Sequence, residues 1–120
     1  MKGFIMCVAI LATYLLTNDD VLTGRWESRP SKTGTVTGVV FKADRTMEGY
    51  MNRKPFMTGS YEIKDSLIIV EDNGCAAVKG TYKLILFSNA DSMRFELVSD
   101  ACVPRSKGMP NLVMGRVKQQ

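Results

Sequence analysis

The chain has 120 residues, enough for one domain with a modest core. It carries 16 Lys and Arg against 12 Asp and Glu and no histidine, which removes together the commonest general base and the commonest transition-metal ligand. The basic residues stand singly apart from Arg53 and Lys54, so the positive excess speaks for solubility and not for a nucleic-acid footprint, which needs clustered Lys and Arg.

The first element is a segment unlike the rest. Met1 and Lys2 give a positive end, Phe4 to Leu16 form a 13-residue apolar run, and Thr17, Asn18, Asp19 and Asp20 are polar. A bilayer needs about 20 apolar residues to be spanned, so the run fits a secretory core better than an anchor. Residues 1–17 are therefore expected to be a signal peptide, with an uncleaved anchor as the alternative, and any membrane contact is expected through this segment alone. Cys7 would leave with it. Phe4, Ile5 and Met6 ahead of Cys7 do not make a lipid-modification site. Cys75 and Cys102 would remain as an even pair in a secreted or periplasmic setting, where disulfides persist.

Past residue 20 the hydrophobic period is two. Tyr61 and Ile63 alternate with Glu62 and Lys64, and Met93, Phe95 and Leu97 with Arg94 and Glu96. Eight short strands are predicted, near 22–29, 35–43, 46–52, 56–64, 67–72, 79–87, 92–98 and 111–118, separated by turn signals that include 30–34, 43–45, 72–74 and a loop from Pro104 to Pro110. Gly59, Ser60, Tyr61 is echoed by Gly80, Thr81, Tyr82, as expected of successive hairpins in which glycine starts a strand and tyrosine buries its ring with the hydroxyl near water. A meander leaves two edges exposed, and closure removes both. Leu22 to Trp26 is echoed by Val113 to Val117, as two neighbouring strands would be. The predicted fold is all-β, an eight-stranded up-and-down antiparallel barrel over residues 20–118.

The order of Gly24, Arg25, Trp26, then Phe41 to Asp44, Gly59 to Tyr61, Gly74 with Cys75, Gly80 to Tyr82, Leu97 to Cys102 and Gly115 with Arg116 resembles the small bacterial secreted lipocalin-like domain proteins. The resemblance implies a calycin-type barrel in which Trp26 sits at the closed end and Arg116, from the last strand, packs across it as a structural pair. The chain departs from that pattern in three ways: Arg45 stands where such barrels often turn on glycine, no helix follows the last strand, and the loops are short. These departures argue against a deep, lidded pocket.

Cys75 and Cys102 lack the two further ligands that a structural zinc site requires, and a thiol nucleophile would need an activating base or electropositive pocket while an exported pair is expected to be oxidised, so no metal, cofactor or catalytic residue is assigned. The acidic residues Glu27, Asp44, Glu48, Glu62, Glu71 and Glu96 mostly alternate with apolar neighbours, the pattern of a wetted face. In an up-and-down meander Cys75 follows the fifth strand and Cys102 the seventh, so both belong to one rim and are expected to form a disulfide. Strands two apart lie roughly 9.6 Å from each other, so the two loops must lean together to meet the limit of about 7 Å between α-carbons.

Two functions follow. In the first, a barrel mouth lined by Met47, Met51, Phe56, Met57 or Met93 holds a small apolar ligand without catalysis. In the second, the interior is filled by side chains and the barrel is an envelope interaction or inhibitor module, using Asn52 to Phe56 or Pro104 to Pro110 with Met109 as an exposed apolar tip.

Overall fold

The computed structural model describes residues 21–118, and they form a closed antiparallel barrel with its eight strands in sequential order. The strands are β1 (Gly24–Ser28), β2 (Thr37–Phe41), β3 (Thr46–Met51), β4 (Lys54–Lys64), β5 (Leu67–Asp72), β6 (Gly80–Phe87), β7 (Ser92–Asp100) and β8 (Val113–Arg116). Closure comes from β1 pairing with β8, with Trp26 opposite Arg116 and Ser28 opposite Met114. The predicted signal segment lies outside the described residues.

Alternation decides which side of each strand is dry. Trp26, Val39, Phe41, Met47, Tyr61, Ile68, Val70, Tyr82, Met93, Phe95 and Met114 are buried, while Arg25, Glu48, Glu62, Lys83 and Glu96 on the alternate positions are exposed. Burying each large apolar side chain is worth about 1.5–3 kcal/mol, which fixes the register because a one-residue slip would turn the whole row outward.

Between β7 and β8 the chain forms a short helix, α1 (Val103–Gly108), and a 3-10 turn at Met109–Asn111. The sequence predicts a loop here. Pro104 sits in the first turn of α1, where its fixed backbone angle suits a helix and its missing N–H costs nothing. A helix of six residues is too short to show its period. The 3-10 turn also explains why β8 begins at Val113 and not near residue 111.

The connections alternate between two ends. Residues 42–45, 65–66 and 88–91 lie at one end with the entry of the chain at Val21; residues 29–36, 52–53, 73–79 and 101–112 lie at the other. The first end is filled. The Trp26 indole donates through Nε1 to the Leu22 carbonyl at 2.9 Å, and the Arg116 guanidinium lies 4.3 Å from the ring centroid, a contact worth about 0.5–2 kcal/mol. Arg116 also donates to the carbonyls of Thr23 at 3.1 Å, of Val21, and of Ala90 at 3.4 Å. Gly24 is needed here for its backbone: it sits at φ +129, and a Cβ would meet Arg116 Nη1 at 3.4 Å. Arg45 takes the left-handed conformation at φ 73 despite its side chain.

Candidate ligand-binding site

The other half of the barrel is hollow. A cavity of about 460 Å³ runs from Phe41, Met47 and Phe95 up to the rim, within the range of about 300–1,000 Å³ common to small-molecule sites. Of the predicted lining residues, Met47, Met51, Phe56 and Met57 face it. Met93 does not. It is fully buried, because its cross-strand neighbours on both sides, Leu86 and Met114, belong to the packed core and enclose it.

The β3–β4 hairpin shapes one lip of the mouth. Asn52 and Arg53 both have positive φ, at 50 and 71, the two-residue turn whose twist matches that of the flanking strands. Asn52 exchanges hydrogen bonds with Val36 at 2.9 Å each way, tying the hairpin to the β1–β2 connection. A bulge between Gly49 and Tyr50 lets the strand bend away. It leaves Met51 and Phe56 at the tip, facing the cavity yet 45% and 54% exposed.

α1 forms the opposite lip. Cys75 and Cys102 are joined by a disulfide with their α-carbons 6.0 Å apart and a sequence separation of 27. Closing such a loop restricts the unfolded chain by about 3–4 kcal/mol on the entropic account. Both cysteines border the cavity, so the link holds the β5–β6 connection to the start of α1 directly above the hollow.

A buried ionic cluster completes the roof. Asp72 and Asp100 end strands β5 and β7, with side chains 9% and 0% exposed, and the equally buried Arg105 lies between them. Arg105 donates Nε to Asp100 Oδ2 at 2.7 Å, Nη1 to Asp72 Oδ2 at 3.0 Å, and Nη2 to Asp100 Oδ1 at 2.9 Å and the Val78 carbonyl at 2.6 Å. Tyr82 donates its hydroxyl to Asp100. Gly80 makes room, since a Cβ there would clash with Asp100 Oδ2.

The electrostatics follow from the contacts. The Arg105 hydrogen bonds, joined by those from Tyr82 and the Cys102 amide, hold the Asp100 carboxyl down at about 2 against the opposing effect of burial. Burial and the bond to Asp100 push the Tyr82 hydroxyl above its ordinary value. Arg105 is held firmly protonated by its bonds to Asp100.

The sequence missed this cluster, although one half of it carries a signal. Asp72 continues the inward row of Ile68 and Val70, and an acid in phase with a buried row demands a buried partner. Asp100 carries no such mark, because a register shift near Thr81 and Tyr82 breaks the phase of β7. Tyr82 and Tyr61 give their hydroxyls to protein partners, Tyr82 to Asp100 and Tyr61 to the Lys42 carbonyl at 2.8 Å. Met109 is not an exposed tip. It is half-buried, packs on the core and lines the cavity, because the 3-10 turn folds it back over the mouth.

No family model matches the chain, and no curated protein matches it significantly. Among solved structures it is similar to a protein from Bacteroides uniformis ATCC 8492 determined by NMR, with a TM-score of 0.59 and 22% identity over 85% of this chain and 94% of that one. A likeness at this identity concerns the fold: the chain shares a barrel architecture spanning nearly the whole of that neighbour.

Proposed function

We propose that the protein is an exported lipocalin-like carrier that holds a small apolar ligand, without catalysis, in the open half of its barrel. The observation that carries this is the cavity of about 460 Å³, walled by Val39, Met47, Met57, Val70 and Phe95 and open at Met51 and Phe56. Apolar surface of this kind favours an apolar guest by about 25 cal/mol for each Å² removed from water. The disulfide supports export, since such links persist in oxidising compartments. The envelope interaction barrel draws on a filled interior and an exposed Met109; the hollow half and the half-buried Met109 favour the carrier.

Native mass spectrometry of protein purified from the cell envelope tests this. One bound apolar molecule is expected, and phenylnaphthylamine should fluoresce on entering the emptied barrel. Thr37→Trp, which fills the cavity from its wall, should abolish that fluorescence while leaving the fold intact. An empty barrel that takes up no dye would defeat the carrier reading.

A further inference from the structure

The bases that stand singly in sequence do not stand singly in space. The four connections at the open end, residues 29–36, 52–53, 73–79 and 101–112, hold Arg29, Lys32, Arg53, Lys79, Arg105 and Lys107 and not one Asp or Glu. Lys54 adjoins them at the start of β4. The three connections at the closed end hold Lys42 and Arg45 with Asp44, Asp65 and Asp91.

Pairing follows the same division. At the closed end Lys42 reaches Glu48 at 3.0 Å, and Asp91 lies 3.6 Å from Arg116 and 3.8 Å from Lys118. Among the described residues no ion pair joins Arg29, Lys32, Arg53, Lys54, Lys79 or Lys107 to a carboxylate. All six are exposed. The acids on nearby strand ends are engaged: Glu27 accepts from the Tyr50 hydroxyl, and Asp72 and Asp100 hold Arg105. Glu71, the penultimate residue of β5, stands beside the 73–79 connection, and among the described residues no ion pair joins it to a rim cation.

Apolar side chains stand among these cations. Met51, Phe56 and Val103 are 45%, 54% and 57% exposed. Cations interspersed with exposed apolar groups match a lipid surface, which offers anionic headgroups above an apolar layer, whereas a soluble polyanion would meet only the charges.

We propose that the open end of the barrel docks on an anionic lipid surface, with Arg53, Lys54, Lys32 and Lys107 against the headgroups and Met51, Phe56 and Val103 at the apolar boundary. The mouth of the cavity then faces the membrane. This docking surface stands whether or not the cavity carries a ligand, and the described chain enters the barrel at the opposite, closed end.

The test compares partition of the full chain into phosphatidylcholine vesicles and into vesicles containing about one-third phosphatidylglycerol; each basic residue near the surface contributes about five-fold. The N-terminal run is common to every sample and cancels in the ratio. Wild type should favour the anionic vesicles by at least about ten-fold, with the preference lost as salt rises. Arg53→Asn with Lys54→Gln should lower that preference by up to about 25-fold, asparagine being suited to the positive φ at position 53. Lys42→Gln with Lys64→Gln, an equal loss of charge at the closed end, should change it less than about two-fold. Lys32→Gln with Lys107→Gln serves as a second open-end pair, and Val103→Ser should weaken partition at every salt concentration. Equal losses from the two ends, no preference for anionic lipid, or tighter binding of duplex DNA than of anionic vesicles at the same salt would each overturn the proposal. Phenylnaphthylamine binding, unchanged in Lys32→Gln, separates failure of docking from failure of the carrier reading.

Discussion

Each end of the barrel is tied by one arginine, and the two arginines are held differently. Arg116 at the closed end lies over the Trp26 ring, gives its N–H groups to backbone carbonyls and keeps a long contact with the half-exposed Asp91. Arg105 at the open end is fully enclosed between two buried carboxylates. The closed end has a packed aromatic core beneath its arginine, so charge there is an addition to apolar packing. The open end has a cavity beneath its arginine, and with less packing available its roof is secured by a disulfide and an ionic cluster. A hollow site is bought with polar and covalent ties.

The largest effect expected is at the filled end. Trp26→Ala removes a side chain that is 0% exposed, for a loss of up to about 5 kcal/mol in urea unfolding, since Trp to Ala changes in cores cost about 3–5 kcal/mol. Arg105→Ala should cost about 3 kcal/mol by leaving Asp72 and Asp100 buried without their cation. The two variants separate the ends through ligand binding. Trp26→Ala protein that remains folded should keep its phenylnaphthylamine affinity, whereas Arg105→Ala should lose it in step with its roof. Equal loss of affinity in both would mean that the halves are one cooperative unit.

Acid should act on the open end first. Bonds to Arg105 hold the Asp100 carboxyl down at about 2 in the folded chain, below its ordinary 3.8. Its contribution to stability, about 2 kcal/mol from the size of that shift, is fully present above pH 4 and is lost as the pH falls towards 2. Urea titrations between pH 5 and 2 should show this loss in wild type. In Arg105→Ala the depressing partner is gone, so the loss over that interval should shrink or reverse; an unchanged slope would show that Arg105 is not what depresses Asp100.

Legibility in the sequence follows the same division. Period-two alternation together with the turn signals exposed the eight strands, the echo of Leu22 to Trp26 in Val113 to Val117 pointed to closure, and the contact of Trp26 with Arg116 came from the resemblance to lipocalin-like barrels. The disulfide was legible from the parity of its two connections. Depth within the barrel was not, because methionines look alike whether they begin or end a strand. Met47 and Met93 both start strands rising from the closed end, yet one borders the cavity and the other packs in the filled half. The roof was the least legible part: Arg105 on a short helix meets Asp72 from 33 residues away, and only the folded mouth relates them.

The smallest expected effect lies in two turns whose alanines hold left-handed angles, Ala90 at φ 63 by the closed end and Ala77 at φ 66 by the open end. An L side chain in that conformation costs about 1–2 kcal/mol, partly offset in a glycine variant by the freer unfolded chain, about 0.5–1 kcal/mol. Ala90→Gly and Ala77→Gly should each raise stability by less than about 1 kcal/mol. Each alanine sits beside a carbonyl held by its own arginine, Ala90 through its own oxygen to Arg116 and Ala77 through that of Val78 to Arg105. In an Arg105→Ala background the gain from Ala90→Gly should persist, because distant sites add. The gain from Ala77→Gly should fall away there, because the loop is no longer held at the angle that penalises alanine. Thermal unfolding of the two double variants would show whether each arginine governs its own end.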